Sequence, residues 1–106
     1  MQIQAIREKW KKGLWEMTLH ARKRMGQRKI TGKEIGEIVM QGEIIETYPD
    51  DKPFPSCLIS GTIRGGFPLY VVCAVSDKVH VITAHWMDPK VWLDPKTRRE
   101  KKNEKI

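Results

Sequence analysis

The spacing of apolar residues changes character at Gly42–Glu43, and that change sets what this chain can fold into. Before it, apart from a short stretch at Leu14–Leu19, apolar side chains recur at helical intervals; after it, β-branched and aromatic residues come in short runs broken by turn residues. Ile3, Ile6 and Trp10 fall at i, i+3 and i+7 ahead of Gly13, which predicts an amphipathic helix over about 3–12. Leu14–Leu19 alternates and contains Trp15 and Thr18, which suits an edge strand. Residues 20–28 place Ala21 and Met25 on one face of a second helix, with His20, Arg24 and Arg28 on another. Thr31 opens a third helix over about 32–41: Thr31 and Glu34 form a capping box, Ile30 can staple onto Ile35, and Gly42 stands where a left-handed terminal residue is wanted.

The second half reads as a strand at Ile44–Tyr48, a turn over Pro49–Pro53, then strands over about 56–64, 67–75 and 79–86 joined around Gly65-Gly66 and Asp77-Lys78. The expected fold class is α+β, with N-terminal helices packed on a small antiparallel meander sheet. If both hairpins turn on two residues, Cys57 faces Ala74, Leu58 faces Cys73, and Tyr70 lies opposite His85. Leu58, Leu69, Val71, Cys73, Ile82 and Trp86 then form the face toward the helices, and Cys57, Ile59, Tyr70, Val72, Val81, Thr83 and His85 the other. A one-residue slip exchanges the two. Asp88-Pro89 suggests a turn that folds Trp92 back onto the body. At 106 residues the expectation is one domain over 1–94, followed by a basic tail without fixed structure over 95–106.

Charge is polarised. Residues 1–40 hold 10 basic and 4 acidic side chains, residues 41–95 hold 4 and 7, and residues 96–106 hold 6 and 2, for a net charge of +7. Such a distribution suits a polyanion or an acidic protein partner on one face; a solvated, solubilising surface is the plainer alternative. No apolar run is long enough to span a membrane and the N-terminus lacks a signal-peptide core, so a cytoplasmic location with no membrane partner is expected. Cys57 and Cys73 are expected to be reduced, because the register above puts them on opposite faces. No Cys-x-x-Cys or His-x-x-x-His spacing marks a metal site, and the glycines match neither a phosphate loop nor a dinucleotide fingerprint, so no metal or other cofactor is expected. Glu46, Asp50 and Asp51 are discounted as a metal-nuclease cluster, since two of these carboxylates sit in a proline-bracketed turn.

The chemistry-bearing candidates are few. His20, Arg24 and Arg28 form a stripe that can bind a phosphodiester and move a proton, or be a solvated helix face. Tyr70 and His85, paired across strands, can line a cleft in which Tyr70 stacks on a base and His85 exchanges a proton, or simply pack. Arg64 beside the glycine turn can add charge or end a hairpin. His80 is expected in solvent, and Ser56 has no evident activating base.

Three stretches together resemble the domain-of-unknown-function family 4258: His20-Ala21-x-x-Arg24-Met25-x-x-Arg28-x-Ile30, then Gly42-Glu43-Ile44-Ile45-Glu46-x-Tyr48-Pro49-Asp50-Asp51 with Pro55-Ser56-Cys57-Leu58, and Asp88-Pro89-x-x-Trp92. The resemblance implies a fold like the RelE/ParE toxin superfamily, in which helices cover one face of a small sheet and the other face is a cleft. It further implies a toxin component of a toxin–antitoxin module that binds RNA, cleaves it as a metal-independent endoribonuclease, and pairs with an antitoxin protein. The catalytic Lys, Arg and Tyr sets of RelE-like ribonucleases find no residue-by-residue match, and the family position at His85 is often Tyr. On this reading His20 and His85 are the candidate proton-transfer residues, and Arg24, Arg28, Arg64 and Tyr70 contact nucleic acid. The alternative is a non-catalytic basic module that binds nucleic acid or an acidic protein; a metal-dependent nuclease ranks third.

Overall fold

The computed structural model describes residues 1–99. Three helices, α1 (Ile3–Lys11), α2 (Leu19–Arg28) and α3 (Gly32–Gln41), precede strands β2 (Glu43–Tyr48), β3 (Ser56–Ile63), β4 (Phe67–Val75) and β5 (Val79–Trp86). A three-residue strand β1 (Trp15–Met17) separates α1 from α2, and β6 (Trp92–Asp94) with β7 (Thr97–Arg98) follows β5. The fold is α+β. The five-stranded sheet runs β1-β5-β4-β3-β2, and β6 and β7 form a separate two-stranded ribbon. β1 pairs with β5 in parallel, so the sheet is mixed and not purely an antiparallel meander.

Local chemistry explains the helix boundaries. Thr18 caps α2 by accepting from the Ala21 N–H at 3.1 Å, and Thr31 and Glu34 complete their capping box on α3. The last carbonyls of α3 are engaged from another element, because Arg7 of α1 donates Nε to Val39 O at 2.9 Å and Nη2 to Gly42 O at 2.6 Å. Lys29 takes the left-handed conformation (φ 57°) that ends α2, and the carbonyls at this terminus are also engaged: Trp86 Nε1 donates to Arg28 O at 2.9 Å and Arg64 Nη2 to Lys29 O at 2.8 Å.

Gly42 is not the left-handed residue that the sequence suggests; its backbone is extended (φ −80°, ψ −173°). What requires glycine there is close packing. A Cβ would lie 2.6 Å from the carbonyl oxygens of both Ile38 and Ser60. Across the same contact, a Cβ on Gly61 would meet Ile38 Cδ1 at 2.9 Å, so α3 rests on β3 through two glycines.

The sheet register differs from the two-residue-turn expectation. Ile63 pairs with Phe67 and Val75 with Val79, so each hairpin turns on three residues; at the first, Arg64, Gly65 and Gly66 all have positive φ. Cys57 consequently pairs with Cys73, and Leu58 with Val72. Cys57, Ile59 and Val81 join Leu69, Val71 and Cys73 against the helices, whereas Leu58 goes to the opposite face. The two cysteines share a face, contrary to expectation, and both are buried and unbridged. Tyr70 does pair with His85, because a bulge between Val72 and Cys73 restores the register that the longer turn had shifted.

On the face away from the helices, Leu58, Tyr70 and Trp92 form a second core. Trp92 does fold back as its Asp-Pro turn suggests: it is 2% exposed and stacks on Tyr70 with ring centres 4.7 Å apart. The ribbon that follows belongs to this layer. Tyr70 donates its hydroxyl hydrogen to Pro95 O at 2.7 Å, and Arg98 spans Glu46 and Trp92. Residues 95–99 of the expected tail are thus held against the sheet, while residues 100–106 lie outside the described part. Among the described residues, no helix is long and apolar enough to cross a membrane.

Candidate functional site

The end of β5 and the C-terminal end of α2 meet at a cavity of about 410 Å³ lined by Arg28, His85, Trp86, Asp88, Val91, Trp92 and Arg98. Two bonds between the elements fix Arg28 there. Its Nη1 donates to Ala84 O at 2.8 Å, while its own carbonyl accepts from Trp86 Nε1. Arg98 arrives from β7 with its guanidinium over Trp92, 4.5 Å from the ring centre, and it donates to both oxygens of Glu46 at 2.9 and 2.8 Å. That bidentate pair, with a further hydrogen bond from the Tyr48 hydroxyl, holds the Glu46 carboxyl below its ordinary pKa against the opposing effect of burial.

His85 sits between these cations and the second core, with its ring centre 5.3 Å from that of Tyr70. Burial lowers its pKa, and Arg28 and Arg98 push the same way against the Trp86 carbonyl and Asp88. The imidazole is therefore neutral at pH 7. Its Nδ1 lies 3.4 Å from Trp86 O, which can only accept, so Nδ1 carries the hydrogen and Nε2 keeps its lone pair. Two guanidiniums and a neutral imidazole in one cavity can hold a phosphodiester and accept a proton beside it.

Of the six residues singled out in the sequence, the structure brings Arg28 and His85 into this cavity and places the others elsewhere. His20 is exposed on α2, and Arg24 donates to Gln27 Oε1 on the same helix. Tyr70 lies directly beneath His85 but is fully buried under Trp92, so its ring offers no platform for a base. Arg64 donates to both Glu34 oxygens and lies over the Trp86 ring, 4.9 Å from its centre; it lines an adjoining depression. Asp88 and Arg98 are cavity residues that the sequence reading did not include. A signal for Arg98 was present: Asp94-Pro95-Lys96 repeats the pattern of Asp88-Pro89-Lys90, and both aspartates accept from the N–H two residues on at 2.9 Å.

His80, expected in solvent, is largely covered. Its Nδ1 meets Glu16 Oε2 at 2.6 Å, its Nε2 meets Ser76 Oγ at 2.9 Å, and Phe54 stacks on its ring. This chain of hydrogen bonds ties β1 to the β4–β5 turn, and it borders neither the His85 cavity nor the adjoining depression.

Residues 17–86 match the family described as Domain of unknown function (DUF4258), and the chain belongs to that family. No curated protein and no solved structure matches it. The matched span ends at Trp86, so it contains Arg28 and His85 but stops short of Asp88, Trp92 and Arg98.

Proposed function

We propose that this chain is a cytoplasmic, RelE-like toxin that binds RNA and cleaves it without a metal ion in the Arg28–His85–Arg98 cavity. The observation that carries the reading is that a neutral imidazole and two guanidiniums line one cavity. In such a reaction His85 Nε2 takes the proton of a ribose 2′-hydroxyl, and the 2′-oxygen attacks the adjacent phosphorus. The P–O5′ bond breaks to leave a 2′,3′-cyclic phosphate, and the leaving 5′-oxygen takes a proton from the imidazolium or from water. Arg28 and Arg98 hold the non-bridging oxygens, where negative charge grows in the transition state. Helices cover one face of the sheet, as the family resemblance implies, whereas Leu58, Tyr70 and Trp92 cover the other face, where the resemblance implies an open cleft; fold alone does not assign the activity.

Incubating the purified chain with single-stranded RNA and with DNA of the same sequence, both in EDTA, tests this. Cleavage of RNA alone, ending in cyclic phosphate, is expected, together with growth arrest when the protein is expressed in bacteria. Intact RNA with a folded protein would refute catalysis. The non-catalytic binding module would then stand, which the engagement of Arg98 by Glu46 favours because that pair already balances one of the two cavity cations.

A further inference from the structure

Beside the His85 cavity lies a second depression of about 300 Å³, lined by Arg28, Lys29, Arg64, Phe67 and Trp86. The two share Arg28 and Trp86. Trp86 is a fixed wall, with Arg64 over its ring and its indole N–H held by the Arg28 carbonyl. Phe67 is different. It begins β4 immediately after the glycine turn and is 61% exposed, an apolar ring kept in water on a basic rim. Glu34 balances the charge of Arg64, which leaves Arg28 and Lys29 to make the depression electropositive.

We propose that this depression is a nucleobase subsite: one base of a single-stranded RNA stacks on Phe67 while its phosphate lies in the neighbouring cavity against Arg28. The proposal rests on the phosphodiester reading above and adds the strandedness of the substrate. An exposed aromatic ring beside cations that track a backbone is how proteins bind unpaired strands, since every base offers a π-face and a base within a duplex has already used it. A shelf for an apolar protein segment would need no cation shared with a phosphate site.

The test uses the full chain and two fluorescently labelled 2′-O-methyl oligonucleotides of about a dozen nucleotides, which resist cleavage by 2′-oxygen attack; one carries bases and the other is abasic over its central positions. The wild type should bind the base-bearing strand about tenfold more tightly, Phe67→Ala should remove that preference without changing abasic binding, and Phe67→Trp should keep it. Retained abasic binding also reports that the variant is folded. A wild type that binds neither strand removes the phosphodiester reading and this one together. Equal wild-type affinity for the two strands, the result for a shelf that docks protein, removes the subsite alone. So does a preference that survives Phe67→Ala, or a loss of abasic binding in that variant at unchanged melting temperature.

Discussion

Arg28 reaches across from α2 to donate to the carbonyl of Ala84, and the next residue of β5, His85, lines the same cavity. The hydrogen bond sets the distance between a helix terminus and a strand end, and thereby between a guanidinium and an imidazole. Among the described residues it occupies one of the five N–H donors of Arg28. Arg28→Ala should weaken RNA binding about tenfold and reduce its salt dependence by the equivalent of one phosphate contact. Arg24→Ala, on the same helix but bonded to Gln27, should change affinity by less than about twofold. Equal losses in titrations at several salt concentrations would show that generic charge drives binding.

Glu34 gives a stability prediction with a definite sign. Hydrogen bonds from Arg64 hold its carboxyl down to about 2 against the opposing effect of desolvation. A folded-state pKa below the unfolded one stabilises the fold above the unfolded value, and the contribution is lost as pH falls through the folded one. Glu34→Gln keeps a capping side chain and removes the charge. It should lower the urea midpoint at pH 7, and the gap from wild type should close as pH falls from about 5 toward 2. A gap independent of pH would assign the loss to packing instead.

Two glycines should respond in opposite directions to alanine. At Gly42 the new Cβ meets two backbone oxygens that no rotamer change can move, and Gly42→Ala should cost about 3 kcal/mol. Gly26 lies within α2, and a Cβ there would have nothing within 4 Å, so Gly26→Ala should stabilise by about 0.5–1 kcal/mol. Chemical denaturation of both variants checks the pair.

The outcomes for individual residues show what the sequence made legible. Local signals held: Thr31 with Glu34, the boundaries of α2, the return of Trp92, and the Tyr70–His85 pairing. Each depends on a few adjacent residues, except the last, which depends on two departures that cancel. The longer turn at 76–78 shifts the register by one residue and the bulge at Val72/Cys73 shifts it back. The sheet faces were not legible, because Gly65-Gly66 is compatible with two-residue and three-residue turns, and the choice moves every β3 side chain to the other face. The site was half legible for the same reason. His20, Arg24 and Arg28 share a spacing on α2, but only Arg28 lines the cavity, and the repeated Asp-Pro-Lys pattern marks a second turn before Arg98 without saying where that turn delivers it.

Cys57 and Cys73 are cross-strand partners shielded within the core, and burial pushes the Cys57 thiol up to about 11 and Cys73 higher still. Neither should form thiolate at pH 8 in the native protein. A chromogenic thiol reagent should therefore count no reactive thiol in the folded chain and two after denaturation without reductant. A count of none in both states, with an intramolecular bridge by mass, would show that this pair oxidises.

His85 carries the prediction that bears most directly on chemistry. Its lowered pKa makes the neutral base the dominant form at pH 7, so the cleavage rate should rise with pH and level off above a midpoint below the ordinary histidine value of 6.5. His85→Gln removes the base and should reduce the rate by at least about tenfold, the low end for proton transfer by a positioned side chain, while RNA affinity stays near wild type. His20→Ala should leave both quantities unchanged, because that imidazole is exposed on α2 away from the lining of the cavity. The two substitutions together separate a proton-transfer role from charge. If His85→Gln cuts as fast as wild type with the same pH profile, the cavity binds phosphate without acting on it. If affinity falls in parallel with rate, His85 contributes to ground-state binding and the proton acceptor lies elsewhere.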